Sequence, residues 1–397
     1  MFLNRKTPPK IVTLTLLAGL SSFTLSLMLP ALPAMASWFG TSVSTMQLAV
    51  SLYLALSAVV QLIIGPISDR FGRRPVILGA LVVFLLATIG TIYAPDAGTF
   101  LAFRMAQAVV STGLVLSRAV VRDMVEGPAA ASMIGYVTMG MSLVPMIGPL
   151  IGGALEERFG WQSTFWLLFG LGVATTALAF ADLGETFTRR EGGTFAQMRL
   201  YPRLLKSRIF WAHCGVASLA SGVFYAFLGG APYVGAEVYH LSSSQIGAAF
   251  ALPSVGYMAG NYLAGRHSVR VGMVRMIVMG TSVTTCAMTG LALITALGLS
   301  GPWVFFGAMV FLGLGNGMSL PNANGGMLQA VPELAGSASG LGGAISIGSG
   351  AGVSALAIWL LPPGAGDLPL IVLMAVSSAL STLSLLILPR RSLALQA

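Results

Sequence analysis

Five polar side chains recur at helical spacing within one long apolar stretch of the chain. They are Arg104, Gln107, Ser111, Arg118 and Arg122. On a helix with 3.6 residues per turn they fall within about 60° of one another and form a polar stripe. An arginine at the centre of a membrane costs about 3 kcal/mol on insertion scales, so the stripe must face protein or a water-filled cavity. Its chemistry is ion pairing and hydrogen bonding around a fixed cation; for Arg118, extension to the membrane surface is the alternative.

A second group of charges lies in the segment GPISDRFGRRP, which runs from Gly65 to Pro75 and holds one acid and three arginines. Long apolar stretches flank this segment, and only 8% of all residues are charged. Such a cluster is typical of a loop at a membrane surface. Gly65 and Gly72 permit close approach and a tight turn, and Pro75 suits the first turn of a helix.

The composition identifies an integral membrane protein. The hydrophobic fraction is 56% and the mean hydropathy is +0.86, and the charged fraction is about a third of that in soluble domains. The net charge of +9 does not indicate nucleic-acid binding, because the basic residues occupy short connections between apolar stretches. Cys214 and Cys286 lie far apart in apolar stretches, so neither a disulfide nor a metal site is predicted. The three histidines are scattered and no catalytic motif is present, which argues against an enzyme.

Twelve apolar stretches, each about 20 residues long and therefore able to cross a membrane, follow one another along the chain. The predicted spans are 11–35, 43–67, 75–94, 98–121, 129–154, 161–182, 209–235, 244–265, 273–297, 302–324, 335–361 and 369–389. The longest polar connection separates six helices from six. We therefore predict an all-α membrane protein with one six-helix bundle at residues 1–183, a cytoplasmic linker at 184–207 and a second bundle at 208–397.

The positions of lysine and arginine predict the orientation, because positively charged loops stay on the cytoplasmic side. With the amino terminus inside, all but three of the 21 basic residues lie in the termini and the even-numbered loops. The exceptions are Arg104, Arg118 and Arg158. We predict a multi-pass protein of a bacterial inner membrane with both termini in the cytoplasm. The first apolar stretch is longer than the apolar core of a signal peptide, so we expect it to stay as helix one.

The two halves of the chain resemble each other after a shift of 200 residues. The identical pairs are Gly65 and Gly265, Ser68 and Ser268, Arg70 and Arg270, Gly72 and Gly272, and Ile77 and Ile277. Because each repeat holds an even number of helices, the axis between the halves runs along the membrane normal. Transporters built in this way bind their substrate between two bundles.

These features together resemble the major facilitator superfamily, whose loop between helices two and three reads G-x-x-x-D-R-x-G-R-R. The resemblance covers the whole chain and implies the twelve-helix fold with a parallel six-plus-six repeat. Three further segments resemble the branch of drug:proton antiporters that confers resistance to bicyclomycin and chloramphenicol. They are Ser51 to Leu62, Arg118 to Asp123 and Leu183 to Thr186.

The resemblance implies a latch that closes the cytoplasmic side. In this latch Asp69 contacts the start of helix eleven, near Glu333 to Gly336, and Arg73 pairs with Asp123. The alternative is a set of charges that only fixes topology. The predicted gating residues are Asp69, Arg70, Arg73, Arg118, Arg122, Asp123, Gly148 and Pro149.

Gly148 and Pro149 belong to the segment GPLIGG, which is similar to the antiporter signature in helix five of the family's exporters, although Val144 replaces its middle glycine. A packing hinge is the alternative interpretation, because proline kinks a helix and glycines permit close contact. Helix one differs from the family more strongly. Relatives carry an acid just before its Leu-Pro, and Ser26 stands there instead. The candidates left to carry a proton are Asp123, His213 and Glu237.

Polar side chains at helical spacing in the other apolar stretches either line a cavity or hold helices together. The resemblance places the family's cavity arginine at Arg104. The 20 methionines and 20 phenylalanines favour an adaptable apolar cavity. The predicted substrate-binding residues are Ser26, Tyr53, Gln61, Arg104, Gln107, Tyr225, Tyr257, Asn261 and Asn316.

We therefore predict a secondary exporter that moves small amphipathic compounds out of the cell by alternating access, in exchange for protons. A metabolite or sugar efflux carrier is one alternative, and a ligand sensor derived from a transporter is another. The expected partners are a small-molecule substrate and membrane lipid, without nucleic acid, metal or a cofactor other than the proton. We expect the chain to act as a monomer.

Overall fold

The computed structural model describes residues 9–124, 133, 144–186, 201–331 and 335–388. In this part of the chain the backbone forms helices joined by short connections, and no strand occurs among the described residues. The first part of predicted helix five and most of the predicted linker lie outside the described residues.

Twelve long helical segments follow one another in the predicted order. In the first half they are α1 (Ile11–Trp38), α2 (Val43–Phe71), α3 (Arg73–Ile92), α4 (Ala97–Val121), α5 (Val144–Phe159) and α6 (Gln162–Asp182). In the second half they are α7 (Arg208–Val238), α8 (Ser243–Ala249 and Ala251–Val271), α9 (Met273–Ala296), α10 (Pro302–Gln329), α11 (Ala335–Trp359) and α12 (Leu368–Ile387). The last helical turn of α4 extends to Met124, and a short helix, Tyr201–Leu205, precedes α7.

Ten of these segments are long and apolar enough to cross a membrane. The other two are α5, whose described part has 16 residues, and α8, which is interrupted and carries arginines in its last turns. Large apolar side chains point outward at mid-helix, as Leu86 (63% exposed) and Phe311 (50% exposed) do. Such side chains belong in lipid rather than in water, and the chain is a multi-pass membrane protein.

Several helices depart from regular α geometry, among them α1, α4 and α7. In α1 the turn Leu29–Ala31 is tightened, and Pro30 within it has no N–H to donate. In α7, Pro232 is followed by the widened turn Val234–Val238. In α4 the segment Gln107–Val110 winds more tightly than the rest of the helix. These turns interrupt the regular α-helical hydrogen bonds inside α1 and α4 and at the end of α7.

The two halves repeat the same helix pairings. In the first half α1 packs on α5, α2 on α4 and α3 on α6. In the second half α7 packs on α11, α8 on α10 and α9 on α12. Between the halves, α2 packs on α11 and α5 packs on α8. The pairings agree with the repeat that the sequence predicts; the bounds of the two predicted bundles and the linker stay a prediction.

Successive helices run in opposite directions, so the connections fall on two faces of the molecule. We call the end that carries the α2–α3 and α8–α9 connections the Gly72 face. The opposite end, with the α1–α2, α5–α6, α7–α8 and α11–α12 connections, is the Glu157 face. The surface along which the two halves meet is the seam.

Candidate functional site

A fully buried arginine lies at the centre of the first half. Arg104 on α4 is 0% exposed. Its Nη2 donates to the Thr24 carbonyl at 2.7 Å and its Nη1 to Gln107 Oε1 at 2.8 Å. The guanidinium carbon lies 4.3 Å from the centre of the Tyr53 ring. Among the described residues no carboxylate pairs with Arg104, so carbonyl dipoles and an aromatic face stabilise a cation inside the membrane.

The hydrogen bonds of Arg104 continue into a network that joins the first four helices. Gln107 Nε2 donates to Thr88 Oγ1 of α3 at 2.8 Å. The Tyr53 hydroxyl of α2 donates to the Ser21 carbonyl of α1 at 3.2 Å. The structure thus brings together Arg104, Gln107 and Tyr53, three of the predicted binding residues. It also adds Thr88, which the sequence analysis missed because a single threonine in an apolar helix gives no periodic signal.

Three tyrosines, one from the first half and two from the second, lie near the seam. Tyr53 is 2% exposed, and Tyr225 on α7 and Tyr257 on α8 are partly buried. Tyr225 lies in the neighbourhood of both Tyr53 and Tyr257. Gly350 of α11 lies directly against the Tyr225 ring, where a side chain would not fit. The seam therefore has tyrosines from both halves beside it, and the one from the first half, Tyr53, contacts Arg104.

The remaining predicted binding residues lie at different places. Gln61 is half-buried on α2. Asn261 donates to the Tyr257 carbonyl of its own helix at 3.0 Å. Asn316 donates to the Ala220 carbonyl at 3.0 Å and so joins α10 to α7. For Asn316 the structure therefore gives a packing contact, and the binding role of all three stays a prediction.

Ser26, at the place of the family's helix-one acid, is buried in the contact between α1 and α5. Its hydroxyl donates to the Ser22 carbonyl at 2.9 Å and lies directly against Gly148. Gly152, one turn further along α5, lies against the Leu27 carbonyl. These glycines let α5 approach α1 at the point where α1 changes its winding.

The Gly72 face carries a cluster of charges around Arg73. The Arg73 guanidinium pairs with Asp69 at 2.5 Å, and its Nε donates to Asp123 Oδ2 at 3.0 Å. It also donates to the Ser68 hydroxyl. The Arg73–Asp123 pair that the resemblance implies is therefore present in the structure, whereas its role in gating stays a prediction.

The other predicted gating charges surround this cluster. Arg70 is exposed, with its guanidinium 5.3 Å from the centre of the Phe71 ring. Arg118 is half-buried on α4. Arg122 belongs to the last turn of α4, and its side chain lies outside the described residues. The side chains at the start of helix eleven that Asp69 is predicted to contact, Glu333 among them, also lie outside the described residues.

Glu185, which the sequence analysis quoted only as part of a family resemblance, is a member of the same cluster. Its carboxylate accepts hydrogen bonds from the backbone N–H groups of Arg73 (2.9 Å) and Arg74 (3.2 Å). These N–H groups belong to the first turn of α3, where the helix itself supplies no acceptor and the helix dipole favours a negative charge. Arg74 in turn donates to the Leu183 carbonyl at 2.8 Å. The end of α6 is thereby fixed to the start of α3.

At the Glu157 face, polar contacts join the two halves directly. Gln47 on α2 is fully buried and donates to the Gly229 carbonyl of α7 at 2.6 Å. Glu157 at the end of α5 accepts from the backbone N–H of Ser244 (3.2 Å) and the Ser242 hydroxyl (3.3 Å) at the start of α8. Neither contact is predictable from residue patterns, because each joins residues that are more than 80 positions apart.

The helices α5 and α8 cross without side chains between them. Gly247 of α8 lies against the Pro149 carbonyl, and Gly153 of α5 lies against the Ser243 carbonyl. A methyl group at either glycine would collide with backbone of the other half. Pro149, predicted as a gating residue, is thus part of the seam that closes the Glu157 face, and Gly148 is part of the adjoining contact with α1.

The described residues contain no group of three or more histidine, cysteine or acidic side chains that could hold a metal ion. The architecture is that of a membrane transporter: it has two similar halves, a buried network beside their seam, and direct contacts that close one face. Comparison with known proteins gives its family. The chain belongs to the Major Facilitator Superfamily, whose family model matches residues 14–355.

Relatives of known name confirm the resemblance to the bicyclomycin and chloramphenicol resistance branch. The chain is 31% identical to the chloramphenicol resistance protein of Pseudomonas aeruginosa over 352 residues, which cover 86% of this chain and 82% of the relative. It is 29% identical to multidrug resistance protein D of Escherichia coli over 91% of both chains. A bicyclomycin resistance protein homolog of Haemophilus influenzae is 27% identical over 86% of both chains.

Solved structures confirm the fold. A crystal structure of the peptide transporter POT superposes with a TM-score of 0.76 at 14% identity, covering 96% of this chain and 95% of that one. A crystal structure of the D-xylose–proton symporter gives a TM-score of 0.74 at 15% identity, covering 95% of each chain. At such low identity these structures establish the architecture alone.

Proposed function

We propose that this protein is a secondary exporter that expels small amphipathic, drug-like compounds by alternating access in exchange for protons. The observation that carries the proposal is the buried Arg104 with Tyr53 beside the seam, where Tyr225 and Tyr257 of the other half lie nearby. The seam between two moving halves is where such a transporter holds its substrate. The names of the relatives, which refer to chloramphenicol, bicyclomycin and multidrug resistance, support the substrate class.

The proposal assigns the Gly72 face to the cytoplasm and the Glu157 face to the outside of a bacterial inner membrane. The arginines of the α2–α3 and α8–α9 connections support this orientation, because positive charges stay inside. Both termini are then cytoplasmic. In this orientation the contacts of Gln47 with Gly229 and of Glu157 with α8 close the outer side. Export requires these contacts to break while the cluster around Arg73, which is already formed here, keeps the inner side closed.

In this proposal the proton is the coupling ion and no cofactor is needed. Because Ser26 replaces the family's helix-one acid, the proton carrier is sought among Asp123, His213 and Glu237. His213 is fully buried, its Nδ1 lies 2.9 Å from the Ile209 carbonyl, and its Nε2 has no hydrogen-bond partner among the described residues. Substitution of each carrier candidate in turn is expected to identify the one whose loss leaves binding intact and removes the dependence on a pH gradient.

The direct test uses purified protein in liposomes with an imposed pH gradient and a panel of phenicols and cationic dyes. We expect compound movement that depends on the gradient. Movement without any dependence on the gradient would assign facilitated diffusion, as in a metabolite or sugar carrier, and binding without movement would assign a sensor. Either outcome overturns the proposed antiport.

The same assay tests the latch. Asp69→Asn removes the charge that pairs with Arg73, and we expect normal insertion with transport reduced by about tenfold or more, the scale of a typical coupling energy. The matched control is Val269→Asn, at the position that a shift of 200 residues relates to Asp69, where the side chain is 95% exposed. Normal transport by the Asp69 variant would exclude the latch.

In this function the partners are a small-molecule substrate and membrane lipid, without nucleic acid. The working unit is the monomer. Light scattering of the purified protein measures the last point, and a stable dimer that alone transports would contradict it.

A further inference from the structure

A cavity lies on the seam at the Glu157 face, and the Arg104 network contributes no residue to it. Its volume is about 490 Å³. Three segments form its wall: residues 36–44 around the α1–α2 connection, residues 233–238 at the end of α7, and residues 361–366 in the α11–α12 connection. The first segment belongs to one half and the other two belong to the other half.

The lining of this cavity combines one negative charge with hydroxyl and apolar groups. Glu237 is its carboxylate, and the lining contains no basic side chain. Glu237 is exposed and forms no ion pair with any residue in the described part of the chain. The hydroxyl side chains of the lining are Ser37, Thr41, Ser42, Ser44 and Tyr233, and its apolar side chains include Val43, Val238, Leu361 and Pro363.

Most of these hydroxyls and the neighbouring polar groups of this face have partners within the protein, since Ser37 donates to the Pro33 carbonyl and Ser42 pairs with Ser44. The Tyr233 hydroxyl donates to the Pro362 carbonyl at 3.0 Å, which holds the α11–α12 connection in place. Asp367 accepts from the hydroxyls of Tyr239 (2.5 Å) and Ser300 (2.6 Å). Burial and the hydrogen bond to Asp367 raise the pKa of Tyr239, so this phenol stays protonated and continues to donate at neutral pH.

We propose that this cavity is a second ligand site, which binds organic cations with an apolar body. Its volume is within the range of about 300–1,000 Å³ that small-molecule pockets occupy. The carboxylate of Glu237 would pair with the cationic group, and the aliphatic side chains would cover the apolar body. The hydroxyl groups would replace part of the water that the cation loses.

If the protein is the exporter proposed above, a ligand in this site would affect the rate of transport. The wall is complete only while both halves meet at the Glu157 face. A ligand that binds this closed arrangement more tightly than the open one shifts the population toward it. Organic cations on the outer side would therefore slow export by holding the outer side closed.

Binding at this site is measured by thiol protection, without any transport assay. Thr41→Cys is introduced into a Cys286→Ser background, because Cys286 is exposed and Cys214 is buried. The rate of maleimide labelling is followed in purified protein with methyltriphenylphosphonium as the probe and with triphenylphosphine oxide as its neutral counterpart. We expect saturable protection by the cation and much weaker protection by the neutral compound.

Two further variants distinguish the site from unspecific protection. Glu237→Gln is expected to weaken protection about threefold to fivefold, the scale of an exposed ion pair. The control is Glu156→Gln, because Glu156 is an acid of the same face that does not line the cavity. This variant should leave the protection by the cation unchanged. Equal protection by the neutral compound, or an unchanged affinity in Glu237→Gln, would overturn the proposal. Because the readout is binding, these results do not depend on whether the protein exports anything.

Discussion

The α2–α3 and α8–α9 connections have the same backbone and different surroundings. Gly72 has φ 94° and ψ 154°, and Gly272 has φ 92° and ψ 145°. The N–H of Gly72 donates to the Ser68 carbonyl at 2.9 Å, and the N–H of Gly272 donates to the Ser268 carbonyl at 3.0 Å. Only glycine readily adopts this conformation. The repeat therefore fixes the turn in both halves by the same means.

The side chains around the two turns differ in kind. The start of α3 meets the ends of α4 and α6 through the charges of Arg73, Asp123 and Glu185. The start of α9 meets α10 and α12 through an apolar cluster that includes Val274, Ala323 and Leu385. In the first half the Ser68 hydroxyl binds Arg73, whereas the Ser268 hydroxyl has no hydrogen-bond partner in the described part of the second half.

This difference separates the two connections by role: the apolar surroundings of α8–α9 suit a structural role, and the charged surroundings of α2–α3 suit a conformational change. Apolar packing is lost when two helices separate and offers no alternative partner. A charge cluster at a membrane surface can exchange partners or water at a lower cost, because its charges stay partly solvated. We infer that the α8–α9 connection holds its half together, and that the α2–α3 connection is the one able to open and close.

The strongest test of this comparison places a carboxylate in the apolar cluster. Ala323 is fully buried, and Ala323→Asp would leave a charge without a partner, at an expected cost of about 3–5 kcal/mol. We expect loss of monodisperse protein on size-exclusion chromatography. Gly325→Asp is the control, because Gly325 is half-buried two residues further along α10 and lies next to Met273. If Ala323→Asp behaved like the control, the second connection would not be a packed core.

A smaller difference is expected between the two glycines. Gly72→Ala and Gly272→Ala each force a side chain into a backbone conformation that costs about 1–3 kcal/mol. At Gly72 the new methyl group would also collide with the Glu185 carboxylate. We therefore expect both variants to melt at a lower temperature, with the larger shift for Gly72→Ala, when their thermal midpoints are measured side by side in detergent. Equal shifts would mean that Glu185 moves away without cost.

The sequence predicts the helices well because apolar length is a local property. The predicted span 209–235 is observed as Arg208–Val238, and the spans of α2 and α3 agree to within a few residues. The predicted end of helix five at residue 154 is too early, because the helix continues through Glu156 and Glu157 to Phe159 before the positive φ of Gly160 ends it.

The site is less predictable, because its contacts join distant parts of the chain. Helical spacing correctly grouped Arg104 with Gln107, which are one turn apart. The contacts of Gln47 with Gly229 and of Glu185 with α3 join residues separated by 182 and about 112 positions, respectively. Only the relative placement of whole helices determines them, and a pattern of residue types within one helix does not contain that information.

The smallest change in thermal stability is expected for substitution of Glu185, which caps the amino end of α3. Glu185→Gln keeps one acceptor oxygen for the N–H groups of Arg73 and Arg74, while it removes the charge that favours the amino end of the helix. We expect a loss of about 1 kcal/mol, as for a helix cap, seen as a small fall in the thermal midpoint, and a smaller fall at high salt because the charge is partly screened. Glu156→Gln, at the opposite face, serves as the control. If the thermal midpoint fell as far as in Gly72→Ala, Glu185 would stabilise the whole charge cluster around Arg73 rather than one helix end. The α2–α3 connection would then be as rigid as the α8–α9 connection.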